Sequence, residues 1–518
     1  MAKHEISLND RLDLTKSPVL LNGTQALVRL MLMQKARDRA AGLNTAGYCT
    51  GYRGSPLGAV DLQFTRSKKL LEASDIKFQP GLNEDLAATS VWGSQQAELR
   101  GQGRFDGVFS LWYGKGPGVD RSGDVMRHAN LAGTSRNGGV VMALGDDHTG
   151  ESSSTCHQSD WAAVDVSIPV ISPAGVQEIL DYGLYAFAMS RFAGVWTALK
   201  LMKDTVEATS VVDGSPDRVS FVIPEFEMPK GGLNIRLNDH WVPQEDRLVN
   251  YKRYAAEAFS RANGMDRRVW GKPGAKIGLV AAGKNWLDLT HALSLLGIDE
   301  AEALRLGITT YKVGQPWPLD MHGFHDWADG LDLIIVVEEK RKLIEVQIKE
   351  AIFDDRRGRR VWGGRKGSPE AEVLFPVPMA LDPMMIATKL GHILMDEDRG
   401  SDRLKAALQR IDEAKVSDNA QDIAARLPYF CSGCPHNTST VLPEGTRAGG
   451  GIGCHIMALW MDRGTEGLTQ MGGEGMAWTG EAPFSKTEHI FQNLGEGTYN
   501  HSGMLAIRGA LASGVNIT

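Results

Sequence analysis

The sequence predicts an α/β protein of about three domains, with parallel sheets and flanking helices. Three observations carry that prediction. The chain has 518 residues, too many for one core, and length alone points to about three domains. Hydrophobic residues make up 42% and charged residues 23%, the balance of a globular chain. Short apolar runs of strand length alternate with stretches of helical periodicity, the pattern that builds a parallel sheet.

The elements follow in order. Residues 18–40 open with Pro18-Val-Leu-Leu21, and Thr24 reads as the cap of a helix carrying Leu27, Leu30, Met31 and Gln34 at helical spacing. Thr45 to Pro56 reads as a strand entering a tight loop. Residues 84–99 read as a helix headed by Asn83-Glu84. Gly107–Trp112 and Gly139–Leu144 read as strands, the second ending in Gly145-Asp-Asp-His148. Ser172-Pro173 has the composition of a helix start, with Pro at the first helical position. Residues 215–255 lack clear periodicity and read as a connection. A second α/β unit opens at Lys276–Gly283 and continues through a helix, Gly307–Gly314 and Leu331–Glu339. A charged helical stretch follows, and a third unit opens at Tyr429. Its last elements are a helix at Met504–Ala512 and the start of a strand at Val515–Thr518. An α/β chain that stops there leaves its last unit unfinished, as expected of a fragment or truncated product.

Charge and composition exclude some functions. A net charge of -7 argues against a general nucleic-acid binder. No apolar run approaches the ~20 residues that span a bilayer, and the N-terminus has no apolar signal core. The expectation is a soluble, cytoplasmic protein. Five cysteines, an odd number, argue against a disulfide framework.

The residues that carry chemistry fall in glycine-rich loops. Cys431-Ser-Gly-Cys434 is followed by Gly451-Ile-Gly453-Cys454-His455, and thiolates at that spacing suit a soft metal centre. A fourth ligand is not obvious; with His436 and His455 nearby, a Cys3His zinc site is an alternative, and buried free cysteines are a third reading. Gln492–Asn500 contains Gly495-Glu496-Gly497, where glycines can wrap a diphosphate and the carboxylate can hold Mg2+; alone, the motif is equally a simple turn. Glu84 reads, on spacing alone, as a surface partner of a helix dipole. The loops at Gly54-Ser55-Pro56, Gly114–Asp120 and Asp146-Asp147-His148 all follow strands, so they can face one site. Asp146, Asp147 and His148 are equally suited to capping the next segment. Cys49 and Cys156 are expected to pack. The 12 tryptophans do not indicate an aromatic substrate, since large aromatics usually serve cores.

Gly51–Pro56, Tyr113–Asp120, Gly145–His148, Cys431–His436, Gly451–Cys454 and Gly495–Gly497 jointly resemble the 2-oxoacid:ferredoxin oxidoreductases. The resemblance runs over nearly the whole chain, to the N-terminal portion of the long fused indolepyruvate ferredoxin oxidoreductases. It implies thiamine-diphosphate-binding folds: a pyrimidine-binding-type domain at residues 1–250, a transketolase C-terminal-like domain at 270–390, a helical linker at 391–427 and a truncated diphosphate-binding-type domain at 428–518. It implies oxidative decarboxylation of an aryl 2-oxoacid to acyl-CoA and CO2, with electrons passing through iron–sulfur to ferredoxin. By the same resemblance Glu84 bonds N1′ of the cofactor's pyrimidine, and Glu496 stands where the family has an aspartate that binds Mg2+. Cys431, Cys434 and Cys454 hold a [4Fe-4S] cluster, whose fourth cysteine, like a further Mg2+ ligand, would lie beyond Thr518. Arg53 and Ser55 are candidates for the substrate carboxylate, although a surface role suits Arg53 as well. Gly54, Pro56, Lys115, Gly453, Gly495 and Gly497 are candidates for cofactor binding. A homodimer is expected. Two rival readings stay open: a non-redox thiamine-dependent decarboxylase, and a non-enzymatic α/β protein with structural zinc.

Overall fold

The computed structural model describes residues 7–8, 10–151, 155–418 and 427–518. They form two compact units, Met1–Ser417 and Asp418–Thr518. In the first, strand β1 (Val19–Asn22) runs straight into the helix Gly23–Ala40. Asn22 is the cap: its Oδ1 accepts the Gln25 N–H at 2.9 Å, and Gln25 Oε1 accepts the Asn22 N–H at 3.1 Å. This reciprocal pair satisfies two orphan donors, so the helix starts before Thr24, whose hydroxyl donates to Asn22 Oδ1 instead.

Six parallel strands follow: β2 (Ala46–Gly51), β3 (Ile76–Phe78), β4 (Val108–Lys115), β5 (Val140–Asp146), β6 (Val170–Ile171) and β7 (Trp196–Met202). Their spatial order is β3-β2-β4-β5-β7-β6, which reverses direction between β2 and β4. Ligands of open α/β sheets bind outside the carboxyl ends of the strands at such a reversal. Alternation along β5 shows why the run is apolar throughout. Val141 and Ala143 join the core under Gly23–Ala40 and the helix Val176–Ala193, while Val140, Met142 and Leu144 join the core of the opposite face. A strand covered on both faces loses the polar half of its pattern. Strand β8 (Thr209–Val212) returns antiparallel to β1.

Two local expectations are corrected. The helix expected at Ser172-Pro173 starts at Val176, because the preceding residues are held extended: the Val170 N–H donates to Trp317 O at 2.7 Å and the Ser172 N–H to Gly314 O at 2.9 Å. Residues 241–262, expected partly as connection, are helical, with a π-helical turn at Leu248–Lys252. Their inner stripe holds Leu248, Lys252, Ala255, Ala256 and Phe259, and the lysine within it conceals the periodicity.

The second sheet of this unit comprises β9 (Arg267–Arg268), β10 (Ile277–Ala282), β11 (Ile308–Val313), β12 (Leu333–Val337) and β13 (Arg360–Trp362), in the order β13-β12-β10-β11-β9. Only β9 is antiparallel. Helices Pro383–Asp396 and Asp402–Asp418 follow; part of the expected linker, residues 419–426, lies outside the described residues. The second unit has three parallel strands, β14 (Ala448–Gly450), β15 (Thr465–Leu468) and β16 (Phe491–Gln492), ordered β15-β14-β16. The helix Met504–Ser513 leads to Ile517, which forms a parallel bridge with Ile490. The architecture is therefore the expected α/β class, parallel sheets with flanking helices. No helix among the described residues is long and apolar enough to cross a membrane.

Lys252 is fully buried and its ammonium donates to the carbonyls of Asn130 and Leu131, at 3.1 and 3.2 Å, at the end of the helix Gly123–Ala132. Burial, with help from the Arg247 charge, pushes its pKa down to about 7. The unfolded chain therefore binds more protons between pH 7 and the ordinary lysine value, and stability rises with pH across that window. We expect the urea midpoint to increase from pH 7 to pH 9, with this residue contributing up to ~1.4 kcal/mol per pH unit. Lys252→Met should abolish that slope.

Candidate active site

The loops leaving β2, β4 and β5 interlock at the reversal point. Gly54 lies against the stem of Lys115: a Cβ there would stand 2.8 Å from Lys115 Cδ. Gly145 lies against Leu57 and Pro56, with 2.7 Å from its Cβ position to Leu57 Cγ. Gly118 lies against Glu84, with 2.5 Å to the carboxylate Oε1. Each contact puts backbone where a side chain would collide, so glycine is required for the close approach.

Glu84 opens the helix Glu84–Ser94, capped by Asn83, whose Oδ1 accepts the Leu86 N–H at 3.1 Å. The first turn faces inward. Glu84 is only 6% exposed, and its carbonyl accepts the Trp112 indole N–H at 3.1 Å. The surface-dipole reading suggested by spacing alone does not hold. Burial lowers the Lys115 pKa, and the charges of Glu84 and Asp147 work against it, which places Lys115 within the field of both carboxylates. Arg53 and Ser55 are exposed and Pro56 is buried. Beneath them the Tyr113 hydroxyl donates to Asp61 Oδ1 at 2.5 Å, and burial raises the Asp61 pKa against that bond and the Arg53 charge.

The three residues after β5 have separate duties. Asp146 accepts the Ser159 N–H and hydroxyl at 2.9 and 2.5 Å. Asp147 is a local cap, accepting from Thr149 and Gly150. His148 crosses to the second sheet, where its Nδ1 pairs with Glu339. The other oxygen of Glu339 accepts from Lys284 at 2.8 Å, Asn285 at 3.0 Å and the Leu381 N–H at 3.0 Å. Burial alone would raise the Glu339 carboxyl; the His148 bond and the charges of His148 and Lys284 outweigh it and hold the pKa at about 2.

A crevice of ≈ 660 Å³ opens beside this pair, lined by Val119, Asp120, His157, Trp161, Lys340 and Arg341 among others. The Arg341 guanidinium lies 5.3 Å from the Trp161 ring. Burial opposes the charge on His157, but Asp120, 2.8 Å from Nε2, and Asp146 push its pKa up to about 9. Cys156 lines the crevice and is exposed, so it does not pack as expected; Cys49 does. Sequence reasoning missed His157, Lys284, Glu339 and Arg341. The available signal was the acidic pair Glu338-Glu339 directly after an apolar strand.

In the second unit the loops after β14, β15 and β16 also converge. Glu474, in Gly472-Gly-Glu-Gly475, is buried and accepts the Gly472 N–H at 2.7 Å and the Ile452 N–H at 3.3 Å. Thr498 Oγ1 donates to Ile452 O at 3.0 Å. Gly453 has φ 148° and lies against the His455 ring, and Gly495 stands beside Ile452 O. Glu496 is exposed and accepts from Asn500 Nδ2 at 2.9 Å, and Gly497 follows it in a single helical turn. His455 Nε2 and Asn493 Nδ2 are buried without a hydrogen-bond partner among the described residues. Burial, reinforced by His436, lowers the His455 pKa.

Cys431 and Cys434 share a turn closed by the Cys434 N–H donating to Cys431 O at 3.0 Å. Cys434 Sγ stands 3.1 Å from His436 Nδ1, and the His436 ring lies 6.2 Å from that of His455, which follows Cys454. All three thiols are free. No set of three or more metal-holding side chains is gathered among the described residues.

Residues 267–418 match the indolepyruvate oxidoreductase domain. The chain is 24% identical to indolepyruvate oxidoreductase subunit IorA of Pyrococcus horikoshii, over 96% of this chain and 73% of that protein. The chain is similar to the indolepyruvate oxidoreductases. Its enzyme class is accordingly oxidoreductase. The IorA of Archaeoglobus fulgidus is 22% identical over 88% of this chain and 68% of its own length. Among solved structures, a 2-oxoglutarate:ferredoxin oxidoreductase from Magnetococcus marinus overlaps with a TM-score of 0.49 at 13% identity, across 73% of this chain and 65% of that one.

Removing the Glu339 charge would leave buried Lys284 with Asp288, 2.8 Å away, as its one acidic partner among the described residues, and His148 with none. Glu339→Gln is expected to cost about 3–5 kcal/mol, read as a fall in the urea midpoint. In the wild type, the stability contributed by this held-down carboxyl is present above pH ~4.5 and lost as the pH falls towards 2; the variant should lack that acid limb.

Proposed function

We propose that this chain belongs to a protein that oxidatively decarboxylates an aryl 2-oxoacid of the indolepyruvate type, forming acyl-CoA and CO2 and passing electrons through an iron–sulfur centre to ferredoxin. The observation that carries the reading is the buried carboxylate of Glu84, fitted against Gly118 at the reversal point of a parallel sheet.

Thiamine diphosphate, when bound, supplies the nucleophilic carbon and electron sink that 2-oxoacid cleavage requires. The residues present suit it. A buried carboxylate is the partner needed by a ring nitrogen that must carry a proton, and Glu84 would hold that proton at N1′ of the pyrimidine. Lys115, over Gly54, would add positive charge beside it. Taken by itself, the second unit has Gly453, Gly495 and Gly497 where backbone would approach a diphosphate, and His455 Nε2 and Asn493 Nδ2, without a partner among the described residues, are suited to anionic oxygens. Glu496 would bind Mg2+ in company with Asn500. Arg53 and Ser55 would receive the substrate carboxylate, Arg53 by paired donors. Cys431, Cys434 and Cys454, whose spacing along the chain is that of ligands to a soft iron–sulfur centre, are its proposed ligands, although they are not gathered into a metal site among the described residues. Coenzyme A and ferredoxin are the proposed partners, a homodimer the proposed assembly and the cytoplasm the proposed location.

The test is anaerobic purification with iron, sulfide and thiamine-diphosphate analysis, then indolepyruvate-dependent reduction of viologen in the presence of coenzyme A. Bound cofactor and substrate-dependent reduction are expected. Zinc in place of iron, or CO2 release without electron transfer, would sink the redox assignment. Glu84→Gln should lower turnover 10²–10⁴-fold. Gly118→Ala, which pushes a methyl into the Glu84 carboxylate, should lower it about 10²-fold through misplacement.

A further inference from the structure

We propose that the crevice between the loops after β5 and β12 is a second small-molecule site, taking a ligand with an oxyanion head, carboxylate or phosphoryl, on an apolar body. The inference goes beyond the cofactor reading above and does not depend on it. Lys340 carries the argument. It lines the crevice and is only 9% exposed, yet its ammonium has neither a hydrogen bond nor an ion pair among the described residues. A lysine withdrawn from water to that extent is costly unless an opposite charge meets it. The acids beside it in sequence are committed elsewhere: Glu339 to His148 and Lys284, and Glu338 to the N–H groups of Leu343, Ile344 and Glu345. Lys340 also has φ 61°. Residues other than glycine rarely adopt that left-handed conformation, and where they do it clusters at ligand clamps and active sites.

Arg341 adds a second uncommitted charge. Its backbone N–H and its Nε both donate to Gln158 Oε1, at 3.1 and 3.2 Å, and its carbonyl accepts from Gln158 Nε2 at 3.2 Å. The guanidinium also lies over the Trp161 ring. These contacts fix the fork and leave both terminal nitrogens without a partner among the described residues. Such a fork grips a carboxylate or phosphate through two parallel bonds. The acids of the crevice do not cancel the two charges, because Asp120 pairs with His157 and Asp165 with Arg127. Val119, Met126 and Trp161 supply an apolar wall, and the volume of ≈ 660 Å³ is that of a pocket for a small organic molecule. Two held cations without a counter-charge, beside an apolar wall, call for an anionic ligand with an apolar body.

Phenylacetate and phenyl phosphate test this on the full chain, since they share an apolar body and differ in the oxyanion; phenylacetamide is the neutral counterpart. Binding of each is measured by isothermal titration calorimetry. The Cys156 thiol, exposed in the same crevice, reports the place: its alkylation by iodoacetamide is followed on the Cys156 peptide by mass spectrometry. The expected result is at least one anion bound about tenfold more tightly than the amide, with Cys156 alkylated several-fold more slowly at saturation. Whichever anion binds more tightly identifies the head group. Lys340→Asn removes the charge and tolerates the positive φ, and Arg341→Gln removes the fork; each should weaken the anion about tenfold. Lys340→Asn should melt no lower than the wild type, because it relieves an unpaired buried charge. Absence of anion binding, equal affinity for the amide, or anion binding that leaves the Cys156 rate unchanged overturns the proposal. A Lys340→Asn variant that melts lower yet binds the anion undiminished makes the lysine structural and overturns it too. Should Lys340→Asn fail to fold, Arg341→Gln decides alone. No readout uses turnover, so failure of this site is distinct from failure of the decarboxylase reading.

Discussion

Glu339 stands at the carboxyl end of β12, almost fully removed from water, and four groups from three segments of chain converge on its two oxygens. His148 arrives from the first sheet; Lys284, Asn285 and the Leu381 N–H arrive from around the second. A buried carboxylate is tolerable only when its charge is paired and its lone pairs are occupied. The two sheets can satisfy that demand in few ways, so this carboxylate sets how the loop after β5 stands relative to the loop after β12. The crevice carrying Trp161 and Arg341 lies between those loops, and its shape follows from the same constraint.

Close backbone approach is the second constraint. Gly54, Gly118 and Gly145 each occupy a place where a Cβ would meet a side chain well inside contact distance. Their partners are Lys115, Glu84 and Leu57, drawn from three different segments of chain. The glycines therefore let three strand ends close over one small region and hold a lysine and two carboxylates in a shared field. The second unit repeats the device with Gly451 and Gly453, packed on Glu474 and His455.

Much of this was legible in the residues, and the failures are instructive. Three strands of each main sheet announced themselves, while β3, β6, β7, β9 and β13 did not; a strand covered on both faces is apolar along its length, as β5 and β12 are. Asn83 and Glu84 were read correctly as a helix start, since a cap is a local interaction. The burial of Glu84 was not legible, because it depends on Gly118 and Trp112 from distant segments. The helix 241–262 was partly missed for the opposite reason: Lys252 lies inside the core, so the local pattern misled. Gly473-Glu474-Gly475 and Gly495-Glu496-Gly497 have the same local form, yet the first glutamate is buried and holds two loops while the second is exposed.

By itself, then, the sequence determined the α/β class, the glycine-rich loops that follow the strands and the three thiols, since each is a matter of periodicity, glycine placement or spacing along the chain. Only the tertiary structure decided which charges meet. Glu339 and His148 are 191 residues apart, and nothing in either local sequence names the other. Their pairing is imposed by burial, which makes an isolated charge costly wherever in the chain its partner lies.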